Sequence, residues 1–204
     1  MTVAQPDIRE VRRTDTVARL LDAAWAIARD RGVGALSLRE LARAVGIRQP
    51  SLYTYFESKN GLYNLMFLVG NQELLARATA IEPSGDPVAD LRATACVLAE
   101  FATEDVGRYE LMFRRPIPGF EPSAEACEPA KRFLELLVRR VEAVGITAPD
   151  DVDIVVAGIA GLIDAQIAGA PTGDRWIGRL DRLLDTLRAG LAGDSRTAPG
   201  SATS

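Results

Sequence analysis

Apolar residues along the chain recur at spacings of three and four, the repeat of a helix that buries one face. Over residues 14–31, Val17, Leu20, Leu21, Ala24, Ile27 and Ala28 share a face, and Gly32 supplies a stop. Ser37-Leu38-Arg39-Glu40 has the form of a capping box and opens a second helix through Leu41, Ala42 and Val45. Gly46 suits the left-handed turn into a short third helix, which tolerates Pro50 in its first turn and ends near Phe56. Ser58 can cap a longer fourth helix carrying Leu62, Leu65, Met66 and Val69. After a break at 81–85, a candidate domain boundary, Asp86-Pro87 opens a fifth helix over about 86–103.

A sixth helical piece spans 109–114, and Pro116, Pro118 and Gly119 force a loop after it. Ala126, Ala130, Phe133, Leu134, Leu137, Val138 and Val141 define the seventh helix, ended by Gly145 and Pro149. The eighth, over about 150–168, is apolar on nearly every side, with a ridge of small residues at Ala157, Gly161, Ala165 and Ala168; such a helix must be covered all round. In the ninth, Trp176, Leu180, Leu183, Leu187 and Leu191 stand in near-heptad register and call for a partner helix. No strand pattern or internal repeat interrupts this, so the fold class is all-α.

Composition narrows the class. The 204 residues suffice for one good core, or a large and a small core joined by a shared helix. Hydrophobic content of 48% and charged content of 25% are those of a soluble globular protein. The N-terminus lacks the apolar run of a signal peptide, so a cytoplasmic protein with no membrane partner is expected. Two cysteines, Cys96 and Cys127, and no histidine leave no disulfide framework and no usual metal cluster, so no metal or cofactor is expected. The missing histidine also weighs against an enzyme, because it is the commonest proton-transfer side chain near neutral pH. The net charge of -4 hides a split: residues 1–62 hold ten Lys and Arg against seven Asp and Glu, and the remainder 14 against 21. A basic head precedes an acidic body.

The second and third helices have helix-turn-helix proportions, in which the second of the pair lies in the DNA major groove. Arg48, Gln49, Ser51, Tyr53, Thr54, Tyr55 and Lys59 crowd the short third helix, and only Leu52 and Phe56 face inward. That outer face offers donors and acceptors for base edges and phosphates; the plainer alternative is an ordinary solvated helix.

The run from Gly34 to Lys59, and above all Val45-Gly46-Ile47 with Pro50-Ser51-Leu52-Tyr53, Tyr55-Phe56 and Ser58-Lys59, resembles the DNA-binding domain of the tetracycline-repressor (TetR) family. The resemblance covers residues 14 to about 75; beyond that it is one of layout. It implies an N-terminal three-helix helix-turn-helix domain joined by a long helix to a C-terminal helical ligand-binding and dimerisation domain. The expected division is a flexible arm at 1–13, the DNA-binding domain at 14–60, the C-terminal domain at 61–192 and a disordered tail at 193–204. The resemblance also implies that Arg39 and Gln49 point at base edges and Pro50 at a thymine methyl, with Ser51, Tyr53, Tyr55 and Lys59 on phosphates; Thr54, on the same outer face, is a further expected DNA contact. The chemistry agrees, since Arg suits guanine and Gln adenine. Tyr53 is equally suited to packing its ring against its own helix. Arg43 and Arg48 read as secondary, and Arg9, Arg12 and Arg13 form an arm that either reaches a minor groove or phosphates or is frayed.

Phe101, Tyr109, Met112, Phe113, Phe120, Phe133 and Trp176 lie on elements that the resemblance places around a ligand pocket, although large apolar residues at helical spacing are usually core. Arg114 and Arg115 either favour an anionic ligand or are solvated. Cys127, near a helix start, is either a redox sensor or an inert small residue, and nothing chooses a role for Asp164. Ala157, Gly161, Ala165, Ala168, Leu180, Leu183 and Leu187 are the expected homodimer interface. The reading that comes first is a regulator, a repressor that leaves a palindromic double-stranded operator when a small-molecule effector binds. A non-sensing helical DNA-binding or interaction protein comes second, and an enzyme third.

Overall fold

The structure, a computed structural model, describes residues 8–114, 116–169 and 173–194, with the side chains of 8–10 and 192–194 excepted. Arg115, the side chain of Arg9 and the expected tail beyond 194 therefore lie outside the described residues. Every regular element among the described residues is helical.

Helix α1 (Ile8–Arg31) begins well before the apolar repeat does. Its first turns hold Arg9, Glu10, Arg12 and Arg13, which favour helix by propensity, and residues 11–15 are exposed, so they add nothing to an apolar repeat. Arg12 and Arg13, expected in an arm, are thus helical. Gly32 ends α1 at φ 82°, and after a 3₁₀ turn (Val33–Ala35) comes α2 (Leu38–Val45). The predicted capping box does not form, because the Ser37 side chain caps nothing and the Glu40 carboxylate pairs with Arg31 instead. A charged guanidinium is a stronger partner for a carboxylate than a backbone amide. Gly46, at φ 76° and ψ 30°, turns the chain as predicted, and Ile47 N–H donates to the Ala42 carbonyl at 2.9 Å.

The third helix is a 3₁₀ turn (Gln49–Thr54) rather than an α-helix: Ser51 N–H donates to Arg48 and Tyr55 N–H to Leu52, both at 2.9 Å. Pro50 supplies no N–H, and a six-residue segment with few apolar anchors gains little from the α register. Helix α3 (Lys59–Thr79) starts under the predicted cap, with Gly61 N–H donating to Ser58 Oγ at 3.1 Å. Helix α4 (Pro87–Glu104) is capped as predicted by Asp86, which accepts from Val88 N–H at 2.9 Å. Helix α5 (Val106–Tyr109) widens into a π turn (Glu110–Arg114), and α6 (Ala124–Ala143), α7 (Pro149–Gly169), a 3₁₀ turn (Ile177–Arg179) and α8 (Leu180–Asp194) follow.

The described residues form two compact units, one of 8–70 with those of 107–127 and one of 71–106 with those of 128–194. In the first, Leu20, Ala24 and Ala28 of α1, Leu41 and Val45 of α2, and Leu62 and Met66 of α3 are buried. In the second, α4, α7 and α8 pack together through residues that include Leu91, Ala95, Phe101, Val155, Ile159, Ile163, Leu180 and Leu184. Gln166, fully buried in α7, accepts from Trp176 N–H at 2.8 Å and donates to the Gly173 carbonyl at 3.1 Å, which seats the approach to α8. Length and composition would let α7 cross a membrane; Val152, Val155, Ile159 and Ile163 are buried in its own unit, and 33% of its apolar window is buried in all.

Asp90, buried in α4, accepts from Ser84 N–H and Oγ at 2.9 and 2.8 Å and pairs with Arg140 at 2.8 Å. The Ser84 amide first, then its hydroxyl and the Arg140 charge, hold this carboxyl below its ordinary 3.8 against the opposing effect of burial. A lowered carboxyl stabilises the fold above its unfolded value and loses that contribution as pH falls through the folded one. Asp90→Asn is therefore expected to reduce the urea midpoint at neutral pH, by an amount that shrinks as pH falls below about 4. Denaturation at a series of pH values checks this, and a pH-independent difference would count against it.

Candidate nucleic-acid interface

The turn Gln49–Thr54 is held by Leu52, fully buried, and by Phe56 just after it. That anchorage leaves Gln49, Pro50, Ser51 and Thr54 exposed, Tyr53 51% exposed, and Tyr55 and Lys59 half-buried. Arg39 is exposed on the first turn of α2. All eight residues expected to meet DNA are thus accessible. The Thr54 hydroxyl donates to the Ser51 carbonyl, so it faces outward only as an acceptor. The Lys59 ammonium lies 5.4 Å from the Tyr63 ring centre, while the Tyr63 hydroxyl donates to the Val33 carbonyl at 3.2 Å and ties α3 to the turn before α2.

Arg19 is a residue that sequence reasoning missed. Its Nη2 donates to the Val45 carbonyl at 2.9 Å, closing the end of α2 just before the Gly46 turn. The signal was the spacing of Arg12, Thr16 and Arg19, which puts three polar residues on one face of α1. Arg19→Ala should lose about 1 kcal/mol of stability, and a thermal melt that does not shift would refute the role. Two grooves adjoin the turn and α2. Arg12, Arg13, Thr16, Thr54 and Tyr55 line one of about 370 Å³, and Arg31, Ser37, Arg39, Glu40 and Arg43 line another of about 380 Å³. Arg48 is exposed between them in sequence.

The pocket candidates divide between the units. Tyr109, Met112, Phe113 and Phe120 belong to the first, where Tyr109 and Phe113 stack with ring centres 4.9 Å apart and Phe120 lies 5.6 Å from Tyr63. Gly70 lets Met112 approach α3, since a β-carbon there would stand 2.8 Å from its sulfur. Phe101, Phe133 and Trp176 belong to the second; Phe101 and Phe133 are buried, and Trp176 is flanked by Arg175 and Arg179 at 5.2 and 5.6 Å. Burial pushes the Cys96 thiol up, away from the reactive thiolate, and Cys127 Sγ sits 4.0 Å from the Pro122 carbonyl. Among the described residues no cluster of His, Cys, Asp and Glu is arranged to hold a metal ion.

On α7, Ile154 is 48% exposed, Ala157, Gly161 and Ala168 are exposed, and Ala165 is half-buried, so one apolar face stays open. Leu183 and Leu187 of α8 border it, their methyls 3.3 and 3.4 Å from where a β-carbon on Gly158 would be. Leu180, also expected at the interface, is only 4% exposed, because α8 turns Leu180 and Leu184 inward and Leu180 is packed within its own unit.

The family model of bacterial regulatory proteins of the tetR family matches residues 20–66, and that of the tetracyclin repressor-like C-terminal domain matches residues 91–194. No protein of curated function matches the chain in sequence. Among solved structures, the regulatory protein SCO4313 is 25% identical, with a TM-score of 0.73 over 89% of this chain and 98% of its own. The TetR-family regulator PfmR from Thermus thermophilus is 24% identical, with a TM-score of 0.64 over 85% and 98%. A TetR variant from Acinetobacter baumannii AYE, solved in complex with minocycline, shares the fold at 19% identity, with a TM-score of 0.59 over 88% and 98%. With its helix-turn-helix and more than half its length matched, the chain belongs to the tetR family of bacterial regulatory proteins and is a DNA-binding transcriptional regulator.

Proposed function

We propose that two copies of this chain bind one pseudo-palindromic operator in the cytoplasm as a repressor, and that a small-molecule effector releases them. The observation that carries the DNA half is the anchored turn whose Gln49, Pro50, Ser51 and Tyr53 are turned to solvent while Leu52 is fully buried. Arg39 and Gln49 then read base edges, Pro50 packs on a thymine methyl, and Ser51, Tyr53, Thr54, Tyr55 and Lys59 hold the backbone. The open face of α7 with Leu183 and Leu187 supports the homodimer, because a bare apolar face on a soluble protein is normally a contact site, and twofold symmetry would make it self-complementary. Effector release is supported by the family and by a relative of the same fold solved with minocycline. Tyr109, Met112, Phe113 and Phe120 are the candidate effector contacts of the first unit, and Phe101, Phe133 and Trp176 those of the second. Sequencing the duplexes that the purified protein retains from a random pool tests the reading. Enrichment of a twofold-repeated motif is expected, and a pool that stays random would overturn it.

A further inference from the structure

The first turns of α1 carry cationic side chains to the flank of the reading turn. Arg12, Arg13 and Thr16 face Thr54 and Tyr55 across the groove of about 370 Å³. Two hydrogen bonds decide what this groove offers. Thr16 Oγ1 donates to the Arg12 carbonyl at 2.8 Å, and Thr54 Oγ1 donates to the Ser51 carbonyl. Each hydroxyl has one proton, so neither is left to donate into the groove. Among the described lining side chains, the donors that remain are the two guanidiniums and the Tyr55 phenol. Among the described residues no carboxylate pairs with either guanidinium.

A groove whose described lining is cationic and includes no carboxylate fits an external anion, and the guanidinium fork matches two oxygens of a phosphate group. Its position is fixed by Arg19, which pins α1 to the end of α2 through the Val45 carbonyl. Arg12 lies on the same face two turns earlier, about 10 Å along the helix axis. A turn seated in a major groove is bordered by the phosphate backbone, which is the polyanion such a groove would meet.

We propose that Arg12 and Arg13 clamp a DNA backbone phosphate beside the half-site read by residues 49–54, with the Tyr55 hydroxyl completing the seat. This rests on the DNA reading proposed above and assigns the N-terminal turns of α1 to affinity and register, not to base choice. The clamp adds equally to every sequence, and its contribution is released by salt.

The test uses Arg12→Ala with Arg13→Ala in the full chain. Alanine is the better helix former, so α1 is retained, as circular dichroism will check. Anisotropy titrations with the selected duplex and with a scrambled one are run over a range of sodium chloride concentrations. The expected result is the same fold-loss of affinity on both duplexes and a salt slope smaller by about 0.9 for each phosphate the variant no longer neutralises. Arg12→Lys with Arg13→Lys should restore most of that slope, since the charge returns. Gln49→Ala, run alongside, should keep the slope and narrow the gap between the two duplexes. An unchanged slope in the alanine variant would sink the clamp while leaving the DNA reading intact. If the parent protein binds neither duplex, both fall together. Saturable binding of inorganic phosphate without DNA, lost in the alanine variant, would overturn the assignment to the DNA backbone and give the groove to a free anion.

Discussion

Gly161→Arg is expected to leave the protomer folded, abolish the dimer and remove tight operator binding. The protomer should tolerate it because a β-carbon at Gly161 meets nothing within 4 Å, and arginine is favoured over glycine inside a helix by roughly 1 kcal/mol. Within its own chain the change is therefore neutral or mildly stabilising. In a dimer that buries this face, a guanidinium held in an apolar contact without a partner is strongly unfavourable. Without the dimer each head binds a half-site alone and loses the gain of linked binding, which reaches two or more orders of magnitude (about 10²–10⁴). Sedimentation should report monomer mass with an unshifted or raised melting temperature. A variant that keeps dimer mass and binds normally would show that the open face of α7 is not the interface.

Gln49→Ala should change which DNA is chosen more than how well DNA is held. A bidentate glutamine reading adenine is worth about 1–3 kcal/mol of discrimination, or roughly 5- to 150-fold between the right and wrong base. The side chain is exposed on a turn whose stability comes from Leu52 and Phe56, so removing it should leave the fold intact. Repeating the duplex selection with the variant is the check. Preference should relax at one position in each half of the motif and persist elsewhere, whereas an unchanged motif would remove Gln49 from the reading set.

Much of this architecture was legible because its signals are local. The Gly46 turn, the Ser58 and Asp86 caps and the inward pair Leu52 and Phe56 follow from backbone chemistry and spacing within a few residues, and the structure has each of them. The departures come from interactions that sequence spacing does not report. The Ser37 box yields to Arg31, a residue from the preceding helix that competes for Glu40. The 3₁₀ form of 49–54 differs from an α-helix only in hydrogen-bond register, to which an outward polar face is indifferent. A heptad reading of α8 and a 3.6-residue reading agree at Leu180 and diverge at Leu183 and Leu184, and only packing in three dimensions chooses. For the DNA-facing residues, exposure was predictable from type and position. For the ligand pocket it was not, because a buried phenylalanine such as Phe101 looks the same in sequence whether it fills a core or lines a cavity.

The central claim is sequence-specific binding by a pair of heads, and a competition titration tests it most directly. The purified protein is bound to its selected duplex at fixed salt and displaced with either unlabelled selected or scrambled DNA, while the mass of the complex gives its stoichiometry. The account predicts two chains per duplex and a preference of about a thousandfold or more for the selected sequence. Equal displacement by the two competitors, or one chain per duplex at full affinity, would contradict it.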